Sequence, residues 1–272
     1  MVGIKAVWKV CEKCDECKAG QDALCSNALS SGAHKNGTFQ EYAIGPASYV
    51  TPVPEGIDPL IAAPLMVPSH RNGTNSQCGG VTAYKALKVS GAKSGDTVVL
   101  LGAGGGLGSF GIQFARIMGF KVIAVDGGVA KAESTKELGA EKYIDFTQEK
   151  DLVAAVKGAT NGGANAVVVF SPSAQAYAAA PFMLRKRGTM VAVGLPGGPA
   201  PITVEPGYLA FFGITLKGSL VGNQADVIEA LDLAKQGKIQ VPSSIKKLGD
   251  LQSVMEDMEA GKVVGRVVLT FD

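Results

Sequence analysis

The chain has 272 residues, which at about 150 residues per domain excludes a lone small module and points to two domains or one large one. Its 26 Lys and Arg stand against 24 Asp and Glu, a net charge of +2 without a long like-charge run, so nucleic acid is an unexpected partner. Apolar residues reach 46% and charged ones 18%, enough for a sizeable core, while no apolar stretch approaches the ~18 residues that a membrane span needs.

In chain order, residues 1–66 read as turn-rich with short β runs such as 38–43, and they contain four of the five cysteines, Cys11, Cys14, Cys17 and Cys25. The opening residues show no long apolar core followed by a small-residue cleavage site, so a cytoplasmic protein is expected. From Thr97 onward, apolar β-rich runs at 97–101, 121–125, 142–146, 166–170, 189–193 and 214–219 alternate with helical patterns. Runs that are apolar at successive positions suit strands covered on both faces, as in a parallel sheet with helical crossovers. The first crossover places Leu107, Phe110, Phe114, Ala115 and Met118 at helical spacing and stops at Gly119. The fold class expected is therefore α/β, with a doubly wound parallel Rossmann sheet over about 88–220. A helix at 225–236 and a strand at 265–271 follow it.

The spacing Cys-x2-Cys-x2-Cys-x7-Cys brings four thiolates within reach of one tetrahedral ion. Zinc is the reading preferred over a disulfide framework, because no secretion signal is seen. An iron–sulfur cluster is the rival, but its next cysteine comes sooner and precedes proline, whereas Cys25 precedes Ser26. Free thiols are the third possibility. Four protein ligands leave no position for substrate, so such a zinc is structural.

The segment Leu100-Leu-Gly-Ala-Gly-Gly-Gly-Leu-Gly108 joins the first strand of the series to its first helix. There a dinucleotide pyrophosphate can rest on backbone N–H groups and the positive helix end. Strict Gly-x-Gly-x-x-Gly register falls on Ala103, Gly105 and Gly108, with the first glycine shifted to Gly102. Gly102, Gly105, Gly106, Leu107 and Gly108 are the expected contacts. Asp126 at the end of the second strand can accept hydrogen bonds from ribose hydroxyls and repel a 2′-phosphate, which favours NAD over NADP. The plain alternative is a glycine turn that only packs helix on strand.

Taken together, the chain resembles the zinc-dependent medium-chain alcohol dehydrogenases, most closely the fungal tetrameric kind. The resemblance rests on the cysteine cluster, Ser31-Gly-Ala-His-Lys-Asn-Gly-Thr-Phe-Gln-Glu-Tyr42, Thr82-Ala-Tyr-Lys-Ala-Leu87, the glycine turn with Asp126-Gly-Gly, Val193-Gly-Leu-Pro196, Gly218-Ser-Leu-Val-Gly-Asn223 and Val264-Gly-Arg266. It implies a partial, β-rich GroES-like domain at 1–87 with the structural zinc loop, an NAD-binding Rossmann domain at 88–220, and a helix and strand at 221–272 returning to the first domain. It further implies Lys131 beside the adenosine ribose, Arg266 on the pyrophosphate, and main chain near Val193 and Val221 against the nicotinamide. A small alcohol or aldehyde is the implied substrate, and a homo-oligomer joined through the edge strand near 214–219 the implied assembly.

The family's catalytic zinc takes an early Cys, a His from a Gly-His-Glu motif and a later Cys; of these, residues 1–272 carry the later one, Cys78. The resemblance places the other two ahead of Gly3, so the chain reads as truncated at its N terminus. Where the family runs from Ala-Pro-Leu-Met into Cys-Gly-Gly-Val-Thr, residues 67–77 intervene between Met66 and Cys78, and they read as an inserted polar surface loop. His70 in it is expected to face solvent. Two readings result: an NAD-dependent alcohol dehydrogenase, or a remnant that binds NAD and one structural zinc without turnover. A zinc-independent, NADPH-using quinone or enoyl reductase is the weaker third, opposed by Asp126 and the cysteine cluster.

Overall fold

A computed structural model describes the backbone of residues 1–66, 68–71, 74–241, 243–260 and 262–271, with side chains for all of these except 68–71 and 74–78. The chain forms two compact units, Met1–Tyr84 with Leu220–Asp272, and Lys85–Ser219. Among the described residues no helix is long and apolar enough to cross a membrane.

The first unit begins with very short strands. β1 (Val2–Gly3) pairs antiparallel with β4 (Thr51–Pro52), and β2 (Val7–Lys9) with β3 (Leu29–Ser30). The helical turn α1 (Asp15–Lys18) carries the middle of the cysteine cluster. Residues 38–43 are irregular and do not form the strand expected there. Tyr42 and Ile44 are 88% and 90% exposed, and a β run with neither face covered nor, among the described residues, a paired neighbour is not stable alone.

Helix α2 (Pro59–Met66) then leads to the inserted segment, which differs from the loop expected there. In place of a polar loop, the backbone forms a hairpin of β5 (Pro68–Arg71) and β6 (Thr74–Cys78), with Pro68 opposite Cys78 and Arg71 opposite Thr74. Asn-Gly between two short runs is the strongest local hairpin signal, and Asn72-Gly73 supplies it in sequence, although Val67, Asn72 and Gly73 themselves lie outside the described residues. Helix α3 (Gly79–Ser90) carries the chain onward.

The second unit alternates β7 (Thr97–Leu101), α4 (Gly108–Ile117), β8 (Lys121–Asp126), α5 (Val129–Glu137), β9 (Lys142–Asp145), α6 (Leu152–Ala159), β10 (Ala164–Val169), α7 (Ala174–Ala179), β11 (Leu184–Ala192), α8 (Pro206–Phe212) and β12 (Thr215–Gly218). The six strands make one sheet in the order β12-β11-β10-β7-β8-β9, and every pair is parallel. Side chains of β7, β8 and β10 are buried on both faces, which is why these runs carry no polar alternation. The chain order reverses between β7 and β10, so the crevice beyond their carboxyl ends is the topological switch point where ligands of open α/β sheets bind. The glycine-rich turn leaves β7 at that place.

β11 starts earlier than its apolar core implies. Arg185, Lys186 and Arg187 bulge outward between Leu184 and Thr189, with Arg187 at φ +64°. β12 is an edge strand with exposed side chains. The chain then rejoins the first unit through α9 (Gln224–Lys235), started by a reciprocal Asn223–Asp226 capping box, and through β13 (Ser243–Lys247), α10 (Leu251–Glu259) and β14 (Arg266–Thr270). β13 and β14 pair in parallel.

Candidate functional site

The glycine turn is dictated by backbone crowding. Gly102 has φ +85°, and a Cβ there would stand 2.8 Å from the Ser171 nitrogen. Its N–H and that of Ala103 both donate to the Val125 carbonyl, at 2.9 and 3.2 Å, which pins the turn to β8. A Cβ on Gly108 would lie 2.3 Å from the Gly102 oxygen and 2.4 Å from Ala103 backbone atoms, so only glycine lets α4 begin this close to the strand. Gly105 is different: the nearest atom to a Cβ there is the Gly102 oxygen at 3.5 Å, an ordinary van der Waals contact, so a methyl would fit. Gly106 and Leu107 complete the turn, the Gly106 carbonyl accepting from the Ser109 hydroxyl at 3.3 Å and Leu107 preceding α4.

Asp126 closes β8 and is 7% exposed. One carboxylate oxygen accepts the Gly104 N–H at 2.9 Å; the other accepts the Gly127 N–H and the Lys131 ammonium, each at 2.8 Å. Sequence reasoning passed over Gly104, which strict motif register skips, yet a Cβ there would lie 2.7 Å from the Lys131 side chain. The turn into α5 is held from β9: Gly128, at φ +95°, donates its N–H to Asp145 at 3.1 Å and accepts the Tyr143 hydroxyl at 3.1 Å. Burial, then the charges of Asp126 and Asp145, push the Tyr143 phenol well above its ordinary pKa, so it remains a donor.

At the end of β11, Val193 and Gly194 donate their N–H groups to the Val169 carbonyl, at 3.2 and 2.8 Å. A Cβ on Gly194 would stand 2.4 Å from the Ser171 oxygen, and the Tyr177 hydroxyl donates to the Gly194 carbonyl. Burial pushes the Tyr177 phenol up to about 12. Val221 and Arg266 belong to the first unit. Val221 is buried at φ +37°, a conformation that β-branched residues avoid and that marks a constrained position. Arg266 opens β14 and is buried, its guanidinium nitrogen Nη2 2.9 Å from where a Gly79 Cβ would be.

The four early cysteines converge. Their sulfurs lie within 4.8 Å of one another, with Cys11 and Cys17 Sγ at 4.0 Å. A tetrahedral tetrathiolate zinc, with Zn–S of about 2.3 Å, spaces its sulfurs by about 3.8 Å, so the quartet fits the ion after a slight contraction. Backbone N–H groups of Lys13 and Cys14 point at Cys11 and lower its thiol to about 6, and the Cys14 N–H donates to it at 3.3 Å. Among the described residues this quartet is the one group of three or more His, Cys, Asp or Glu arranged to hold a metal. Cys78 ends β6, and its side chain, like that of His70, is outside the described residues. His34 accepts the Ser30 N–H at 3.1 Å within its own turn.

Residues 106–236 match the family profile described as zinc-binding dehydrogenase, and residues 1–55 match the alcohol dehydrogenase GroES-like domain. The chain is 43% identical to alcohol dehydrogenase 1 of Emericella nidulans over 98% of its own length and 73% of that protein's. Its structure superposes on the alcohol dehydrogenase of the archaeon Aeropyrum pernix with a TM-score of 0.85 at 29% identity, covering 98% of this chain and 75% of that one. It also superposes on an NAD-dependent alcohol dehydrogenase with a TM-score of 0.85 at 25% identity, covering 100% and 76%. A parallel sheet with a glycine turn at its switch point, a four-thiol cage ahead of it and identity at this level over nearly the whole sequence place the chain in the zinc-dependent medium-chain alcohol dehydrogenase family.

Proposed function

We propose that the chain binds NAD on its second unit and one structural zinc in its first, and that its reaction is hydride transfer between a small primary alcohol or aldehyde and NAD. The observation that carries this is Asp126, buried at the end of β8 with both oxygens engaged by the glycine turn and Lys131. Its carboxylate would accept the adenosine ribose hydroxyls, with Lys131 neutralising it. The glycine-turn amides and the start of α4 would meet the pyrophosphate. On the same unit, main chain at Val193 would meet the nicotinamide. NAD, when bound, supplies the hydride acceptor. Cys11, Cys14, Cys17 and Cys25 would hold the zinc, which with four protein ligands fixes the loop and does no chemistry. Oligomer formation through the exposed edge of β12, and a cytoplasmic site of action, belong to the same reading.

A second reading, NAD and zinc binding without turnover, is favoured by a single observation. Among the described residues the one group of three or more His, Cys, Asp or Glu arranged to hold a metal is the cysteine quartet, a closed four-ligand set that leaves no position for substrate. Metal analysis and an ethanol assay on the 272-residue chain separate the two. About one zinc per chain and no ethanol-dependent NADH formation support the binding-only reading; about two zincs and NADH formation above background support the enzyme.

Cofactor choice has its own test. Asp126→Gly removes a charged acceptor of the ribose and the repulsion of a 2′-phosphate, so NADH should bind about 10- to 100-fold more weakly while NADPH binding improves. Fluorescence titration of the two cofactors reads this directly. An unchanged NADH to NADPH ratio would place the ribose elsewhere.

A further inference from the structure

Three of the four cage thiols are positioned locally. Cys11, Cys14 and Cys17 are wrapped around α1, whose end is closed by the Lys18 N–H on the Cys14 carbonyl at 3.0 Å and the Ala19 N–H on the Asp15 carbonyl at 2.8 Å. Cys25 arrives separately, after the short 3-10 turn Asp22–Leu24, with its N–H on the Asp22 carbonyl at 3.1 Å. The Gln21 N–H donates to the Glu16 carbonyl at 2.7 Å and so joins the turn to α1, but neither element buries a residue of its own, so their packing adds little to that one bond. A second tie comes from 27 residues away. The Tyr49 hydroxyl donates to the Asp22 carboxylate at 2.5 Å, and its buried ring shares one apolar cluster with Val10 and Cys25, against which Cys11, Cys14 and Cys17 pack. Tyr49 is itself held twice: its N–H donates to the Pro46 carbonyl at 2.9 Å, and the ammonium of Lys5, 3% exposed, lies 4.2 Å from the ring centroid.

We infer that Tyr49 is the positioning residue of the metal cage: through Asp22 it holds the turn that delivers Cys25, and so sets how slowly zinc leaves. The inference rests on the structural-zinc reading above. Outer-shell groups that fix a ligand's approach typically change metal affinity by 10- to 100-fold, and a hydrogen bond to a charged group has a worth of the same order.

Tyr49→Phe keeps the ring and the Lys5 contact and removes only the donor. Zinc release from the full chain into excess chromogenic chelator should accelerate about 10-fold or more. Asp22→Ala should do the same, and the double variant should release zinc no faster than either single one, because both remove one bond. Cobalt-loaded Tyr49→Phe should keep tetrathiolate charge-transfer bands while losing cobalt faster, and NADH binding should be unchanged; a general loss of fold would move all three. Should Tyr49→Phe not fold, Asp22→Ala, altering a partly exposed side chain, tests the same bond. Zinc bound normally, with release unaltered in both single variants or with additive effects in the double, overturns the role of Tyr49 alone. A wild-type chain that binds no zinc removes the metal reading and this inference with it.

Discussion

Gly108→Ala is expected to destabilise the second unit by about 3 kcal/mol, lowering its melting temperature by roughly 10 °C, and to weaken NADH binding by about two orders of magnitude. The added Cβ would stand 2.3 Å from the Gly102 oxygen and 2.4 Å from Ala103 backbone, and all three atoms belong to the turn itself. No flexible side chain is available to move aside. Relief requires α4 to slide away from β7, yet eight α4 residues, among them Phe110 and Phe114, are buried, so the shift spreads into the core. Gly105→Ala makes the matched comparison. With its nearest neighbour at 3.5 Å the new methyl strains nothing, so stability should change by less than about 1 kcal/mol, but the methyl would stand where a pyrophosphate must approach the backbone. Calorimetry and NADH titration distinguish the two variants: Gly108→Ala should lose stability and binding, Gly105→Ala only binding. Equal NADH affinity in Gly105→Ala and wild type would show that the phosphates do not use this turn.

The two glycines differ in how far the sequence alone could distinguish them. A motif string names both, but that Gly108 is steric and Gly105 open follows only from the backbone around them. The same boundary divides the fold. The central strands β7, β8 and β10 are legible because they are buried on both faces, so their apolar residues are consecutive, and the crossover helix α4 carries helical periodicity. The two- and three-residue strands of the first unit show no period, since a period needs more residues than they have. At 38–43 the β-prone residues Thr38, Phe39 and Tyr42 suggest a short strand that does not form, because β propensity yields a strand only where a neighbour pairs with it or covers it, and Tyr42 is left in solvent. The polarity of the inserted segment suggests a loop, whereas Pro68–Arg71 and Thr74–Cys78 pair as strands, an outcome that an Asn-Gly pair between two short runs favours at any polarity. The cage thiols are close in sequence, and spacing alone suggests their meeting. Tyr49 lies 27 residues from Asp22, and neither residue looks special in isolation. Val221 carried no signal for its backbone strain, because valine at positive φ is a consequence of the fold around it.

Removing the metal should unfold the cysteine loop while leaving the parallel sheet intact. The segment around the cage has little else to hold it: α1 is four residues long, far below the length at which a helix persists alone, and the local apolar cluster has three buried members, Val10, Cys25 and Tyr49. Against this, structural zinc in small cysteine sites contributes on the order of 10 kcal/mol near neutral pH, as much as the whole stability of a typical domain. On the structural-zinc reading proposed above, the loop is therefore expected to keep its fold only while the ion is bound. Hydrogen exchange in the presence of a strong chelator should show the N–H groups of Lys18, Ala19 and Cys25, all hydrogen-bonded in the loop, losing protection by several orders of magnitude. Amides of β7 and β10, bonded within the sheet of the other unit, should keep theirs. Cys25→Ser should reproduce the pattern without chelator, since a hydroxyl is a poor ligand for zinc and a tighter proton holder than a thiol. Because the thiols must be deprotonated to bind, zinc is retained at neutral and higher pH and lost on acidification, so the same amides should open as the pH falls. Protection that survives both the chelator and Cys25→Ser would mean that the four thiols pack as ordinary side chains and that the loop owes its shape to Tyr49, Asp22 and Lys5 alone.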